Sequence, residues 1–76
     1  MELHLGSYLS WYVRDNPGRL AIHLDAPIAL MDLVERLKLP PAEIAIAAVN
    51  GVLVSLQDAQ VSDGDKVELH PPVGGG

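Results

Sequence analysis

The sequence predicts a small α+β domain, one layer of sheet with a single helix laid across it. Three observations lead there. Apolar and polar residues alternate over residues 2–5, 19–24 and 66–70, the two-residue period of half-buried strands. Leu30, Leu33, Val34 and Leu37 instead fall at i, i+3, i+4 and i+7, a stripe of helical period. Asn50-Gly51, between two short apolar runs, is the strongest hairpin signal in the chain.

The elements follow in order. Leu3 and Leu5 alternate with Glu2 and His4 in a first strand. Residues 6–13, with Tyr8, Leu9, Trp11 and Tyr12, fit either one turn of helix or an irregular return. Asp15-Asn16-Pro17-Gly18 is a turn, because Pro fixes φ and Gly accepts positive φ. A second strand follows, with Leu20, Ile22 and Leu24 on one face. Asp25 is then expected as N-cap, with Pro27 in the first helical turn. Asp32, Glu35, Arg36 and Lys38 take the solvent side of the helix, and Pro40-Pro41 ends it. Residues 45–49 and 52–56 form the hairpin around Asn50-Gly51. Residues 57–62 read as irregular, Asp63-Gly64-Asp65 as a turn, and 66–70 as the last strand with Val67 and Leu69 inward. The order β-β-α-β-β-β, with first and last strands parallel at the centre, is the plan of the β-grasp fold. The expected domain is residues 1–70, with four to five strands in a mixed sheet on one main helix. Residues 71–76 form an extended, flexible tail ending in Gly-Gly.

Composition bounds what such a domain can do. At 76 residues the chain holds one domain. With 49% apolar and 20% charged residues it is too hydrophobic for a disordered segment. A domain this size buries only about 60% of the surface its unfolded chain exposes, so the core must be thin. It contains 12 leucines and no Phe, and its aromatics are Tyr8, Trp11 and Tyr12. The absence of cysteine excludes thiol nucleophiles, disulfides and zinc thiolates. Residues 1–38 carry five acids and four bases, whereas residues 39–76 carry five acids and one base. That acidic second half disfavours nucleic acid and anionic membrane and suits a basic protein surface. The start lacks the pattern of a secretory signal, and the longest apolar run, residues 44–49, is far too short to span a bilayer. A cytoplasmic location is expected.

The tail is the most informative stretch. Pro71 and Pro72 stiffen the exit from the last strand, and Val73 leads to Gly74, Gly75 and Gly76. Fully extended, six residues reach roughly 20 Å. Glycines pass through a narrow channel and accept whatever φ/ψ a host imposes. An unhindered terminal carboxylate can attack the α-phosphorus of ATP, and a sulfur donor can displace AMP to leave a thiocarboxylate. No thiol in the carrier is needed.

Val49-Asn50-Gly51 on the hairpin, the run from Asp63-Gly64-Asp65 through Leu69, and Pro71-Pro72-Val73-Gly74-Gly75-Gly76 resemble the MoaD/ThiS family of ubiquitin-like sulfur carriers. Residues 1–40 fit that family in pattern alone. The resemblance implies adenylation and thiocarboxylation at Gly76, with Gly75, Gly74, Val73, Pro72 and Pro71 recognised as the tail. It implies an ATP-dependent activating enzyme of the ubiquitin-activating type, which uses ATP and Mg, and a chain that is a carrier, holding no cofactor and no catalytic residue of its own. With nothing after Gly76, no protease would be required. The sulfur acceptor is either the molybdenum-cofactor precursor, on the large subunit of molybdopterin synthase, or the thiazole of thiamine, on a thiazole synthase. Chain length and the Pro-Pro-Val before the glycines favour molybdopterin. His70 departs from that branch, which commonly has an apolar residue before Pro-Pro. A modifier conjugated to lysines and a β-grasp interaction module with an inert tail are the competing readings.

Other clusters are weaker. His4, His23 and His70 fall on the outward side of their strands and would share one sheet face if those strands are neighbours. They read as partly exposed strand histidines rather than a metal site. Lys66, Glu68 and His70 mark a candidate docking face. Tyr8, Trp11 and Tyr12 are expected as core filler in a chain without Phe, with an exposed recognition patch as the alternative. Asp63 and Asp65 flank a glycine and read as turn residues, not a catalytic pair.

Overall fold

A computed structural model describes residues 1–15 and 18–72. Asn16 and Pro17 of the expected turn, and Val73 to Gly76 of the tail, lie outside the described residues. Among those described, the strands are β1 (Glu2–Leu5), β2 (Arg19–Ala21), β3 (Ile28–Ala29), β4 (Ile46–Val49), β5 (Val52–Val54), β6 (Gln60–Val61) and β7 (Lys66–His70). The helix α1 spans Leu30–Arg36, and two short 3-10 helices, η1 (Ser7–Tyr12) and η2 (Pro41–Glu43), flank it in sequence.

The main sheet has the order β2-β1-β7-β4-β5. β1 and β7 run parallel at its centre, with Leu3 opposite Val67 and Leu5 opposite Leu69. β4 pairs antiparallel with β7 on the other side, setting Ala47 against Leu69 and Val49 against Val67. This is the β-grasp arrangement the strand periods predict. Leu3, Leu69 and Val67 on the inner face meet Leu30 and Val34 of α1, together with Leu9 and Val61, and all seven are fully buried. Burying a leucine or valine contributes about 1.5–3 kcal/mol, so these few side chains supply most of the driving force in so thin a core.

Several elements depart from expectation for identifiable reasons. The helix starts at Leu30, with Ala29 as an extended N-cap, instead of after Asp25. Ile28 and Ala29 pair with Val61 and Gln60, and Leu30 N–H donates to Ala59 O at 2.9 Å. Those backbone bonds hold the segment extended where Pro27 and Asp25 alone suggested helix. The same pairing makes a strand of Gln60–Val61, inside a stretch that reads as irregular. At its other end α1 stops at Arg36, before Pro40 is reached. Lys38 takes a left-handed φ of +58°. Its N–H donates to Glu35 O at 3.0 Å, and Leu39 N–H reaches back to Val34 O at 3.1 Å. These two bonds are the Schellman closure, which satisfies carbonyls that the helix end would leave bare. The hairpin behaves as its sequence requires, Asn50 and Gly51 both having positive φ (+53° and +82°), the geometry of a type I′ turn.

Candidate functional site

β7 holds the signature motifs at its two ends. At its start, Asn50 Nδ2 donates to Asp65 Oδ1 at 3.0 Å, and Lys66 N–H donates to Asn50 Oδ1 at 3.0 Å. Asn50 N–H also donates to Lys66 O at 2.7 Å. Asp65 Oδ2 accepts Ser62 N–H at 2.8 Å. The hairpin tip and the Asp63-Gly64-Asp65 turn are therefore one clasp. Asp63 ties in the second strand's exit, its Oδ1 accepting Leu24 N–H at 2.9 Å and the Met1 amino group at 3.4 Å. The Asn50 amide and the Ser62 N–H hold the Asp65 carboxyl below its ordinary range. The Leu24 N–H does the same for Asp63, helped by the Met1 amino group and His23. Carboxylates so engaged serve as turn acceptors, as the intervening glycine suggests.

At its far end β7 delivers the tail. Gly6 N–H donates to Leu69 O and Ala45 N–H to His70 O, both at 2.9 Å, so the strand is gripped on both sides up to its last residue. Pro71 and Pro72 have no N–H and cannot extend the ladder. Pro71 is buried and Pro72 exposed. The chain thus leaves the sheet at the first proline, beyond the bonds from Gly6, just before η1, and Ala45, just after η2. Tyr8 Oη bridges these two elements by donating to Glu43 Oε2 at 2.7 Å. That bond raises the Tyr8 phenol above its ordinary value.

The outer face of the sheet carries Lys66, Glu68 and His70 side by side with Glu2 and His4 of β1. Lys66 and Glu68 are exposed and His70 is half-buried. The His70 ring lies over the backbone of Gly6, where a β-carbon would overlap it. His70 meets His4 edge-on, with ring centroids 6.0 Å apart, and its Nε2 lies 3.9 Å from Glu68 Oε2. A shallow depression of about 210 Å³ is lined by Glu2, His4, Arg19, Lys66, Val67 and Glu68. Two acids offset two bases there, which leaves no net positive field to hold a polyphosphate.

Two expectations are corrected. His23 does not join the other imidazoles. It lies past the end of β2, with Nε2 2.9 Å from Asp25 Oδ1 and Nδ1 3.3 Å from Asp63 Oδ1. Among the described residues no group of three His, Cys, Asp or Glu is placed to hold a metal ion. Trp11 and Tyr12 are not core filler either, whereas Tyr8 is half-buried. Trp11 is 73% exposed and Tyr12 46%. Leu9 and Ser10 occupy the inward positions of η1. A six-residue 3-10 turn has room for one leucine in the core, and the bulkier rings are left outside. Ser7 is exposed, but Ser10 is buried beside Leu9, so the serines of this segment do not by themselves mark which side faces solvent.

With this geometry in place, the family model of the ThiS family matches residues 12–76, all but the first β-strand and most of η1. The chain belongs to the ThiS family. Its members are ubiquitin-like sulfur carriers, and the clasp and the β7 exit described above fall within the matched stretch. No curated protein matches the chain. Within this ThiS-family domain no helix is long and apolar enough to cross a membrane, among the described residues.

Proposed function

We propose that this ThiS-family chain carries sulfur as a thiocarboxylate on Gly76, loaded in the cytoplasm by an ATP-dependent activating enzyme. A terminal carboxylate oxygen attacks the α-phosphorus of MgATP, the bond to the β-phosphate breaks, and pyrophosphate leaves. A sulfur nucleophile at the oxidation level of sulfide then adds to the carbonyl. The bond to AMP breaks, and –COS⁻ remains. The chain contributes no catalytic group to either step. It presents the carboxylate and is recognised.

The observation that supports this reading is the exit of β7. A central strand, paired on both sides as far as His70, releases the chain at Pro71 in a domain of this family. Pro71 and Pro72 then stiffen the exit, and Gly74 and Gly75 offer no side chain to obstruct a channel. Lys66, Glu68 and His70 form the face on which a partner registers the tail.

As sulfur acceptor we favour the molybdenum-cofactor precursor, with the large subunit of molybdopterin synthase as the partner, because Pro-Pro-Val precedes the glycines. Thiamine thiazole formation, on a thiazole synthase, is the alternative. Intact mass spectrometry of the protein from cells holding the activating enzyme should show one oxygen replaced by sulfur, and deletion of Gly76 should abolish the change. Persistent absence of that mass rejects the reading. Isopeptide adducts on lysines of other proteins would replace it with a modifier role. Presenting the thiocarboxylated protein to each purified acceptor system decides between the two pathways.

A further inference from the structure

We infer that Trp11 and Tyr12 are a second contact for the activating enzyme, beside the tail, and supply affinity that the glycines cannot. The identity of the partner rests on the thiocarboxylate reading above.

Adenylation begins on the unmodified chain, whose last three residues have no side chains. Beyond Pro71, Pro72 and Val73, any hydrophobic or aromatic anchor must therefore come from the domain. Its place is bounded by reach. Gly76 is four residue steps beyond Pro72, so the reacting carboxylate lies at most about 14 Å from Pro72. An enzyme that holds it must press against the end of the domain from which the tail leaves.

The exposed large apolar side chains divide between the two ends of β7. Val52 and Leu53 lie at the hairpin, where Val49 pairs with Val67, close to the clasp. That end is a strand length, roughly 17 Å, from the tail. Ile46 pairs with His70 at the tail end and is only just exposed. η1 begins there too, because Gly6 precedes it and donates to Leu69 O. At about 2 Å per residue, Trp11 lies within about 10 Å of Gly6 along the turn. Trp11 and Tyr12 are thus large rings at the same end of the sheet as the exit, and both are exposed. Tryptophan and tyrosine are the side chains that most often dominate an interface. The Tyr8–Glu43 bond fixes η1 against η2, so the pair is presented on a braced segment.

The test is ATP–pyrophosphate exchange by the purified cognate activating enzyme, titrated with the full-length chain. The Trp11→Ala/Tyr12→Ala variant should raise the KM for the carrier about tenfold or more, with kcat within about twofold. Glu35→Ala, on the exposed side of α1, should change neither. Because the rings lie outside the core, the double variant should keep its circular dichroism and unfolding midpoint. Unchanged KM in the double variant, with robust exchange by the wild type, overturns this inference and leaves the carrier reading standing. No exchange by the wild type overturns the carrier reading itself. A second readout uses the chain's single tryptophan. 5-Fluorotryptophan at position 11 should give one ¹⁹F resonance that shifts when enzyme is added, and a resonance unmoved at saturating enzyme contradicts the contact.

Discussion

Asp65 illustrates how a chemically suggestive residue is used up by structure. Both of its oxygens are engaged, one by the Asn50 amide and the other by the Ser62 N–H, and those donors depress its pKa. The unfolded chain has no such donors, so its Asp65 titrates near 4. A folded pKa below the unfolded one adds stability that is complete above the unfolded value and disappears as pH falls through the folded value. The unfolding midpoint of the wild type should therefore decline as pH drops below about 4. In Asp65→Asn the midpoint at pH 7 should be lower and the acid-side decline shallower, as urea denaturation at several pH values would show. An unaltered pH profile would mean that the clasp does not hold the carboxylate. Each half of this clasp was legible in the sequence as a turn. Their union was not, because the bonds from Asn50 to Asp65 and Lys66 cross 15 and 16 residues, beyond any local pattern.

At the level of the element, what the sequence made legible depended on length. β1, β7, the hairpin and the apolar stripe of α1 are long or periodic enough to carry their own signal. β3 and β6 have two residues each, too few for any period, and each exists only because the other is there. Their pairing displaced the helix start from Asp25 to Leu30, and a propensity argument confined to residues 25–30 had no access to it. The helix end teaches a related lesson. Lys38 occupies the position of a Schellman motif that glycine usually fills, at a φ that disfavours a β-carbon by roughly 1–2 kcal/mol. Glycine gives back part of that gain through the greater freedom of the unfolded chain, about 0.5–1 kcal/mol. Lys38→Gly should therefore stabilise the domain by about 0.5–1 kcal/mol, read as a higher urea midpoint at unchanged m. A loss of stability would show that the Lys38 side chain contributes more at this exposed site than its backbone costs.

Across the whole molecule, the two halves of the signature serve two purposes that meet in one strand. β1 and β7 come from opposite ends of the chain and lie together at the centre of the sheet, so the core is incomplete until the last strand docks. A strand paired on both flanks is among the last to open, and the tail is therefore anchored at the most protected point of the fold. The proposed scheme, a stable globule with its chemistry at the chain end, rests on the glycines, the prolines and the missing cysteine. The exposed aromatics were not legible in the sequence, because composition says which residues could fill a core and not how many the core can hold. The scheme also predicts where stability ends. Among the described residues, pairing stops at His70 and burial at Pro71. Deleting residues 73–76 should shift the thermal midpoint by no more than about 2–4 °C. Deleting residues 71–76 should cost more, since a buried proline is lost with them. Leu69→Ala removes a side chain with no exposed surface, at a cost of about 2–5 kcal/mol, enough to unfold much of a domain this small. Differential scanning calorimetry of the three variants gives the ranking. If deletion of residues 73–76 were as damaging as Leu69→Ala, the glycines would belong to the globule, and the separation of fold from chemistry would be lost.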